Sequence, residues 1–336
     1  MKKFLIYLLF VLLFIDCDLQ TGNEPQYVDT NVPLYESPLS YPDFITKNED
    51  YFITRISDVP EITAETYKLT VKGIDETELS FSLNDLLKLE MVEFPLTIEC
   101  IGNPENGSLL GTAYWKGLNI YNFLTSLGMT DSAGGVKYVA ADGYFASHTL
   151  DQIKNNNVIG ALFMNDEPIP PIHGFPLRII NPGYYGVKQP AWVTSFEIIP
   201  SEDIGSSSND YWALYDWIVS PPMDADCKIF FPNNNTQVQI GDSLAVGGAA
   251  YGSTRITKVE ISIDSGQSWQ DTDIVKSMDA DNVWIFWYKS LIFSVEDTYT
   301  ILARATDIYG NVQHRHDSST FDGNSKVPYV RIVVKK

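Results

Sequence analysis

From about residue 222 to the C-terminus, apolar and polar residues alternate in short runs separated by polar turns, and this pattern constrains the fold more than any other feature of the chain. The runs Ser243-Leu-Ala-Val-Gly-Gly-Ala-Ala, Lys258-Val-Glu-Ile-Ser-Ile and Tyr299-Thr-Ile-Leu-Ala-Arg-Ala each read as a strand, because successive strand side chains point to opposite faces. Short strands at this spacing over about 110 residues predict an all-β immunoglobulin-like sandwich across residues 222–336. A linker is expected at 206–221, where Gly205-Ser-Ser-Ser-Asn gives way to an aromatic cluster (Tyr211, Trp212, Tyr215, Trp217) and then Pro221-Pro222. Asp279 and Asp281 suggest calcium, but no glycine and bidentate glutamate follow at loop spacing, so they read as exposed turn carboxylates.

Upstream, residues 46–205 mix the two periodicities and predict an α+β domain. A strand is expected over 66–73, and a short helix over 82–89 begins at an N-cap serine, Ser82. A strand over 96–100 delivers Cys100 to its C-terminal end, where Gly102-Asn103 opens a loop, and strand ends are where sites are commonly built. Trp115-Lys-Gly-Leu reads as a turn into a second helix that stops near Gly128. After a strand at 136–140, Asp142-Gly-Tyr is a turn that can present a carboxylate. Residues 165–171 form another turn leading into His173-Gly-Phe-Pro-Leu-Arg178, where Pro176 stiffens the chain between the imidazole and the guanidinium. Asn181-Pro-Gly-Tyr-Tyr-Gly then makes a tight loop bearing Lys188, and 191–199 closes the domain as a strand.

One thiol upstream of a rigid turn with one imidazole and one guanidinium suggests a soft metal held by sulfur and an anionic group held by cations. The 43 acidic against 23 basic side chains give a formal charge of −20, which repels nucleic acid at long range and argues against a polynucleotide partner. Lys2 and Lys3 precede an apolar run over 4–15, too short to span a bilayer and suited to a signal peptide, assigned to residues 1–20. Cys17, just after that run, resembles a lipidated lipoprotein cysteine, although Asp16 stands where such signals prefer a small residue. The chain is therefore expected to be exported to the periplasm or cell envelope of a bacterium, either with a lipid anchor through Cys17 or by plain cleavage or retention of the segment as a weak anchor, followed by an extended lead-in over 21–45. Cys227 reads as a small hydrophobe at a strand start, and four histidines are too few for a histidine-rich metal cage.

Cys100-Ile-Gly-Asn-Pro, Trp115-Lys-Gly-Leu, Asp142-Gly-Tyr, Asn165-Asp-Glu-Pro-Ile-Pro, His173-Gly-Phe-Pro-Leu-Arg178 and Asn181-Pro-Gly-Tyr-Tyr-Gly186 occur in the order seen in the sulfite-oxidase family of molybdopterin enzymes. Residues 247–269 and Arg304-Ala-Thr-Asp307 through Gly310-Asn-Val-Gln resemble that family's C-terminal dimerisation domain. The resemblance covers roughly residues 45–336 and implies a molybdenum-molybdopterin cofactor, an oxidoreductase activity of the oxygen-atom-transfer type, and a homodimer. Carried over position by position, Cys100 matches the thiolate that ligates molybdenum and takes part in catalysis, and Asp142, His173 and Arg178 match cofactor-binding positions. Asn103, Lys188 and Gln189 lie in the same motif segments, and Arg55 falls in an upstream cofactor segment. Where relatives usually carry a lysine just before the tryptophan, this chain has Ala191.

The family's sulfite enzymes have an arginine five residues after the metal-binding cysteine, where this chain has Glu105. Two like charges ~5 Å apart at an effective dielectric of ~20 cost about 3 kcal/mol, so the expectation is a neutral or cationic small substrate rather than sulfite, with Tyr211, Tyr215 and Trp217 as candidate pocket residues. Two other readings stay open: a cofactor-free exported binding protein on the same fold, and the molybdenum subunit of a membrane-associated electron-transfer complex. With no Cys-x-x-Cys-His in the chain, the second needs a separate cytochrome or other redox partner.

Overall fold

The computed structural model describes residues 39–73, 75–215, 222–314, 323 and 325–336. The expected signal peptide, Cys17, most of the lead-in, Trp217 and the Tyr215 side chain lie outside these described residues.

The first unit is built on two sheets. One has the order Glu78–Ser82, Lys68–Lys72, Val193–Ile199, Gly135–Ala140, Phe145–Thr149, and the other Val92–Glu99, Leu110–Asn119, Ile159–Met164, Glu167–Pro168, with Arg178–Ile180 also paired to Ile159–Met164. Leu69, Val136, Tyr138 and Phe196 from the first sheet pack with Leu86, Ile120, Leu124 and Ile153 from three short helices in the main core. The helix expected over 82–89 is a single turn, Leu83–Leu86, closed by a capping box between Ser82 and Asp85. It stops there because Leu87 and Leu89 stay exposed and have no surface to cover.

Trp115 is not in a turn. It is wholly buried in the strand Leu110–Asn119, and the helix Ile120–Ser126 starts only after Asn119 caps it. The glycine that suggested a turn, Gly117, is needed for a close approach instead: a Cβ there would lie 2.1 Å from the Gly160 carbonyl oxygen of the neighbouring strand.

The second unit is two sheets over one shared core. Asp226–Phe231, Ser243–Tyr251, Ile285–Ile292 and Asp273–Lys276 form one, and Thr236–Gln239, Tyr329–Lys335, Asp297–Asp307, Ile256–Ser262 and Gln270–Asp271 the other. Val246 and Trp287 from the first sheet meet Ile261, Ile301 and Ile332 from the second. Asp279 and Asp281 pair with Arg255, consistent with turn carboxylates. The described end of the lead-in runs over this unit, where Tyr41 stacks on Phe286 at 5.0 Å and its hydroxyl donates to the Trp287 carbonyl at 2.6 Å.

Candidate functional site

Cys100 follows directly on the strand Val92–Glu99 and is half-buried at the wall of a cavity of about 290 Å³. Its N–H donates to Leu109 O at 2.9 Å and its carbonyl accepts from Asn103 N at 2.9 Å, so the loop folds back on the cysteine. Burial pushes the Cys100 thiol up, against the Gly102 N–H and the Thr54 hydroxyl, which favour the thiolate, while the neighbouring Glu99 adds to the rise. In the bare pocket the thiol therefore keeps its proton at neutral pH, and a bound cation would displace it.

Opposite stand residues from the turn 171–178. The ring of His173 is buried, and its Nε2 lies 2.7 Å from the Asn48 carbonyl, which can only accept. The proton therefore sits on Nε2 and leaves Nδ1 as an acceptor. Burial holds His173 below the usual histidine range, with Arg178 acting in the same direction, so it is neutral at pH 7 rather than the cation expected from sequence. Arg178 is the half-buried cation: it donates to the His173 carbonyl at 3.1 Å, sits 5.4 Å from the centre of the Trp115 ring, and meets no carboxylate among the described residues. Its Nε is buried without a partner.

Asp142 lines the same cavity, with one carboxylate oxygen accepting from Tyr144 N at 2.9 Å and its acidity weakened by burial. Gln189 presents a buried, unpartnered Oε1 while its amide donates to Tyr184 O at 2.7 Å. Arg55 stands at the cavity wall, partly exposed, 3.7 Å from Asp58. Ala191 is also in the wall, packed so closely that a Cβ on Gly174, whose φ is +122°, would meet its methyl at 2.9 Å.

Four expected site residues are placed elsewhere. Lys188, the last residue of the 3-10 turn Gly186–Lys188, turns away from the cavity into a buried ion pair with Asp210, whereas Val187 and Gln189 on either side of it line the wall. Asn103 braces its own loop, donating to Glu99 Oε1 at 2.9 Å and accepting from Leu109 N at 3.0 Å. Glu105 is turned to the second unit, where it accepts from Tyr329 N at 3.0 Å and lies 3.7 Å from Lys326 Nζ. Tyr211 packs on Tyr144 at 5.2 Å and Phe145 at 5.8 Å, whereas its neighbour Trp212 lines the cavity. Trp212, Tyr144 and Thr54 are among the wall residues that sequence reading missed. The aromatic cluster pointed to the right segment but not to which ring faces inward.

The residues present fit a molybdopterin. A lone thiol suits a metal that brings most of its ligands with it, and no group of three His, Cys, Asp or Glu side chains among the described residues offers a complete metal site. Arg178 Nε and Gln189 Oε1 are a buried donor and a buried acceptor without a protein partner, on two side chains that line the cavity.

Comparison with known proteins gives the same picture for both units. The family profile described as the oxidoreductase molybdopterin binding domain matches residues 56–207, and that described as the Mo-co oxidoreductase dimerisation domain matches 217–336. The mitochondrial sulfite oxidase of Rattus norvegicus is 26% identical over 312 residues, covering 80% of this chain and 57% of that protein, so the chain spans little more than half the length of this relative. The NADPH nitrate reductase of Aspergillus niger is 25% identical over 370 residues, covering 87% of this chain and 42% of its own. The crystal structure of the sulfane dehydrogenase SoxCD from Paracoccus pantotrophus superposes with a TM-score of 0.74 at 21% identity, covering 88% of this chain and 82% of that one, and shows the fold.

Proposed function

Because the chain belongs to the sulfite-oxidase family of molybdopterin oxidoreductases, we propose that it carries out a two-electron oxygen-atom transfer on a small substrate at a molybdenum bound through Cys100. The observation that carries this reading is the Cys100 thiol and the uncompensated Arg178 guanidinium facing one cavity. When bound, the cofactor supplies the redox metal and the transferable oxygen. The chain supplies the rest. Cys100 would hold the metal as a thiolate once its proton is lost, and Arg178 would offer charge and a planar fork to a phosphate of the cofactor. Gln189 Oε1 and the neutral His173 Nδ1 would serve as acceptors for N–H groups of the cofactor, and the apolar Trp212, Ile101 and Val187 side chains line the wall.

With Glu105 turned to the second unit, the objection to sulfite based on its charge no longer holds at this pocket, and the charged side chains lining the cavity are Arg55, Arg178 and Asp142. The second unit is assigned as an immunoglobulin-like sandwich that mediates self-association, supported by its paired sheets and by the dimerisation profile. Export to a bacterial envelope, with a lipid anchor at Cys17, is supported by the apolar run over 4–15 alone.

Elemental analysis of protein expressed with full cofactor supply tests the central reading. About one molybdenum per chain is expected, with Cys100→Ser abolishing turnover. Protein that takes up no molybdenum, or full metal-dependent turnover in the serine variant, rejects it and favours a cofactor-free binding role.

A further inference from the structure

The loop that follows Cys100 is fastened from the second unit as much as from its own. Glu99, the residue before the cysteine, accepts at Oε1 from Asn103 Nδ2 at 2.9 Å, from the Tyr251 hydroxyl at 2.6 Å and from Lys228 Nζ at 3.1 Å. Lys228 is shared with Asp226 at 2.9 Å, and Glu99, Tyr251, Asp226 and Lys228 are all buried. Asn103 in turn grips both ends of the loop, through Cys100 O and Leu109 N. Further along, Asn106 accepts from Ile229 N at 2.7 Å and donates to Tyr329 O at 3.1 Å. The strand leading into the cysteine is an edge strand whose open side is closed by the same unit: Thr97 N donates to Asn282 O and Trp284 N to Thr97 Oγ1, each at 2.8 Å.

A buried ammonium between two carboxylates is an expensive way to make an interface, since apolar packing of the same volume is commonly as stable. What a polar network adds is direction: each bond fixes where its partner points. Here the bonds run in an unbroken series from Lys228 and Tyr251 through Glu99 and Asn103 to the backbone on either side of the sulfur-bearing turn.

We propose that Lys228 and Tyr251 are positioning residues for the Cys100 sulfur, so that the unit matched by the dimerisation profile also sets the geometry of the metal-binding loop. The proposal rests on the reading of Cys100 as a metal ligand, and its test is split so that the two can fail separately. In the first arm, amide hydrogen exchange is followed in the full chain purified without molybdenum, as wild type, Lys228→Met and Tyr251→Phe. Tyr251→Phe removes one hydroxyl and keeps the ring, so it reports even where the lysine variant does not fold. Exchange over residues 100–109 is expected to rise by about tenfold, while amides of the strand Gly135–Ala140 keep their wild-type rate. In the second arm, molybdenum-loaded wild type and Tyr251→Phe are compared at equal metal content by their sulfur-to-metal charge-transfer absorption, which is expected to shift as the sulfur moves. An unchanged band overturns the proposal, as does exchange that stays at wild-type rates or rises equally across the loop and the strand. If the wild type binds no molybdenum, the ligand reading fails and the exchange arm alone decides whether the second unit holds the loop.

Discussion

The Arg178 guanidinium lies 5.4 Å from the centre of the Trp115 ring and donates to the His173 carbonyl at 3.1 Å, so one side chain ties the strand Leu110–Asn119 to the turn that forms the opposite wall of the cavity. With the Trp115 ring on one side and the His173 carbonyl bonded at one end, the fork is held in place with its Nε unpartnered. Arg178→Lys keeps the charge but loses both the planar contact and the second donor. We expect cofactor retention to fall by about tenfold, corresponding to ~1–2 kcal/mol. Molybdenum per chain after gel filtration measures this, and wild-type retention in the lysine variant would rule out a role for the fork.

Lys188 and Asp210 form the second buried ion pair of the first unit's surroundings, with side chains 8% and 4% exposed. Lys188 also reaches the Ser147 carbonyl, and Asp210 lies two residues before the cavity residue Trp212, so the pair pins the segment that closes one side of the pocket. Lys188→Met leaves a carboxylate buried without its partner and is expected to cost about 3–5 kcal/mol, while Lys188→Met combined with Asp210→Leu recovers most of the loss. Urea unfolding of the two proteins checks the order. Equal destabilisation by the single and double variants would mean that packing, not charge, holds the segment.

Cys100, Asp142, His173 and Arg178 were legible in the sequence because each sits in a local motif whose turn geometry is set by nearby Gly and Pro residues. Asn103 and Lys188 were assigned by nearness to those motifs and Glu105 by its position five residues after Cys100, and neither nearness nor spacing fixes direction. Gln189 faces the cavity and Lys188 faces Asp210, one residue apart. Glu105 and Asn103 are engaged by partners hundreds of positions away or folded back on Glu99, and nothing local encodes either choice. At the level of elements, the strands were read well where one face is buried, as in Gly135–Ala140 with its alternating pattern. Trp115 was misread because a glycine placed for close strand approach has the same sequence appearance as one placed for a turn.

The pH dependence of stability should carry the signature of His148. Its ring is wholly buried, Nε2 lies 2.7 Å from Lys188 O, and Nδ1 has no partner. Burial, reinforced by the Lys188 charge, pushes its pKa down from 6.5 to about 3. The unfolded chain takes up this proton near pH 6.5 and the folded chain does not until about pH 3, so the contribution is complete above pH 6.5 and is lost as pH falls through that window. The slope from this one group is at most ~1.4 kcal/mol per pH unit. His148→Gln should be less stable at neutral pH yet show a shallower decline between these limits. Parallel stability profiles of variant and wild type, from urea midpoints across the range, would contradict the assignment.

Glu105 is predicted to matter for the joint between the two units and not for the choice of substrate. Its carboxylate accepts from Tyr329 N at 3.0 Å and lies 3.7 Å from Lys326 Nζ, while the adjacent Asn106 bonds to the Tyr329 carbonyl. Glu105→Gln preserves the shape and an acceptor oxygen but removes the charge, so the hydrogen bond weakens and the partly exposed ion pair is lost. A partly exposed pair of this kind contributes about 0.5–1 kcal/mol, and the thermal midpoint should fall by a small, salt-sensitive amount. Because no charge facing the cavity changes, kcat/KM for sulfite and for a neutral sulfoxide should move together, if they move at all. Measuring both substrates at fixed ionic strength separates the cases. A gain for sulfite alone in Glu105→Gln would mean that the carboxylate acts on the substrate after all, and that its contact with Tyr329 opens during turnover.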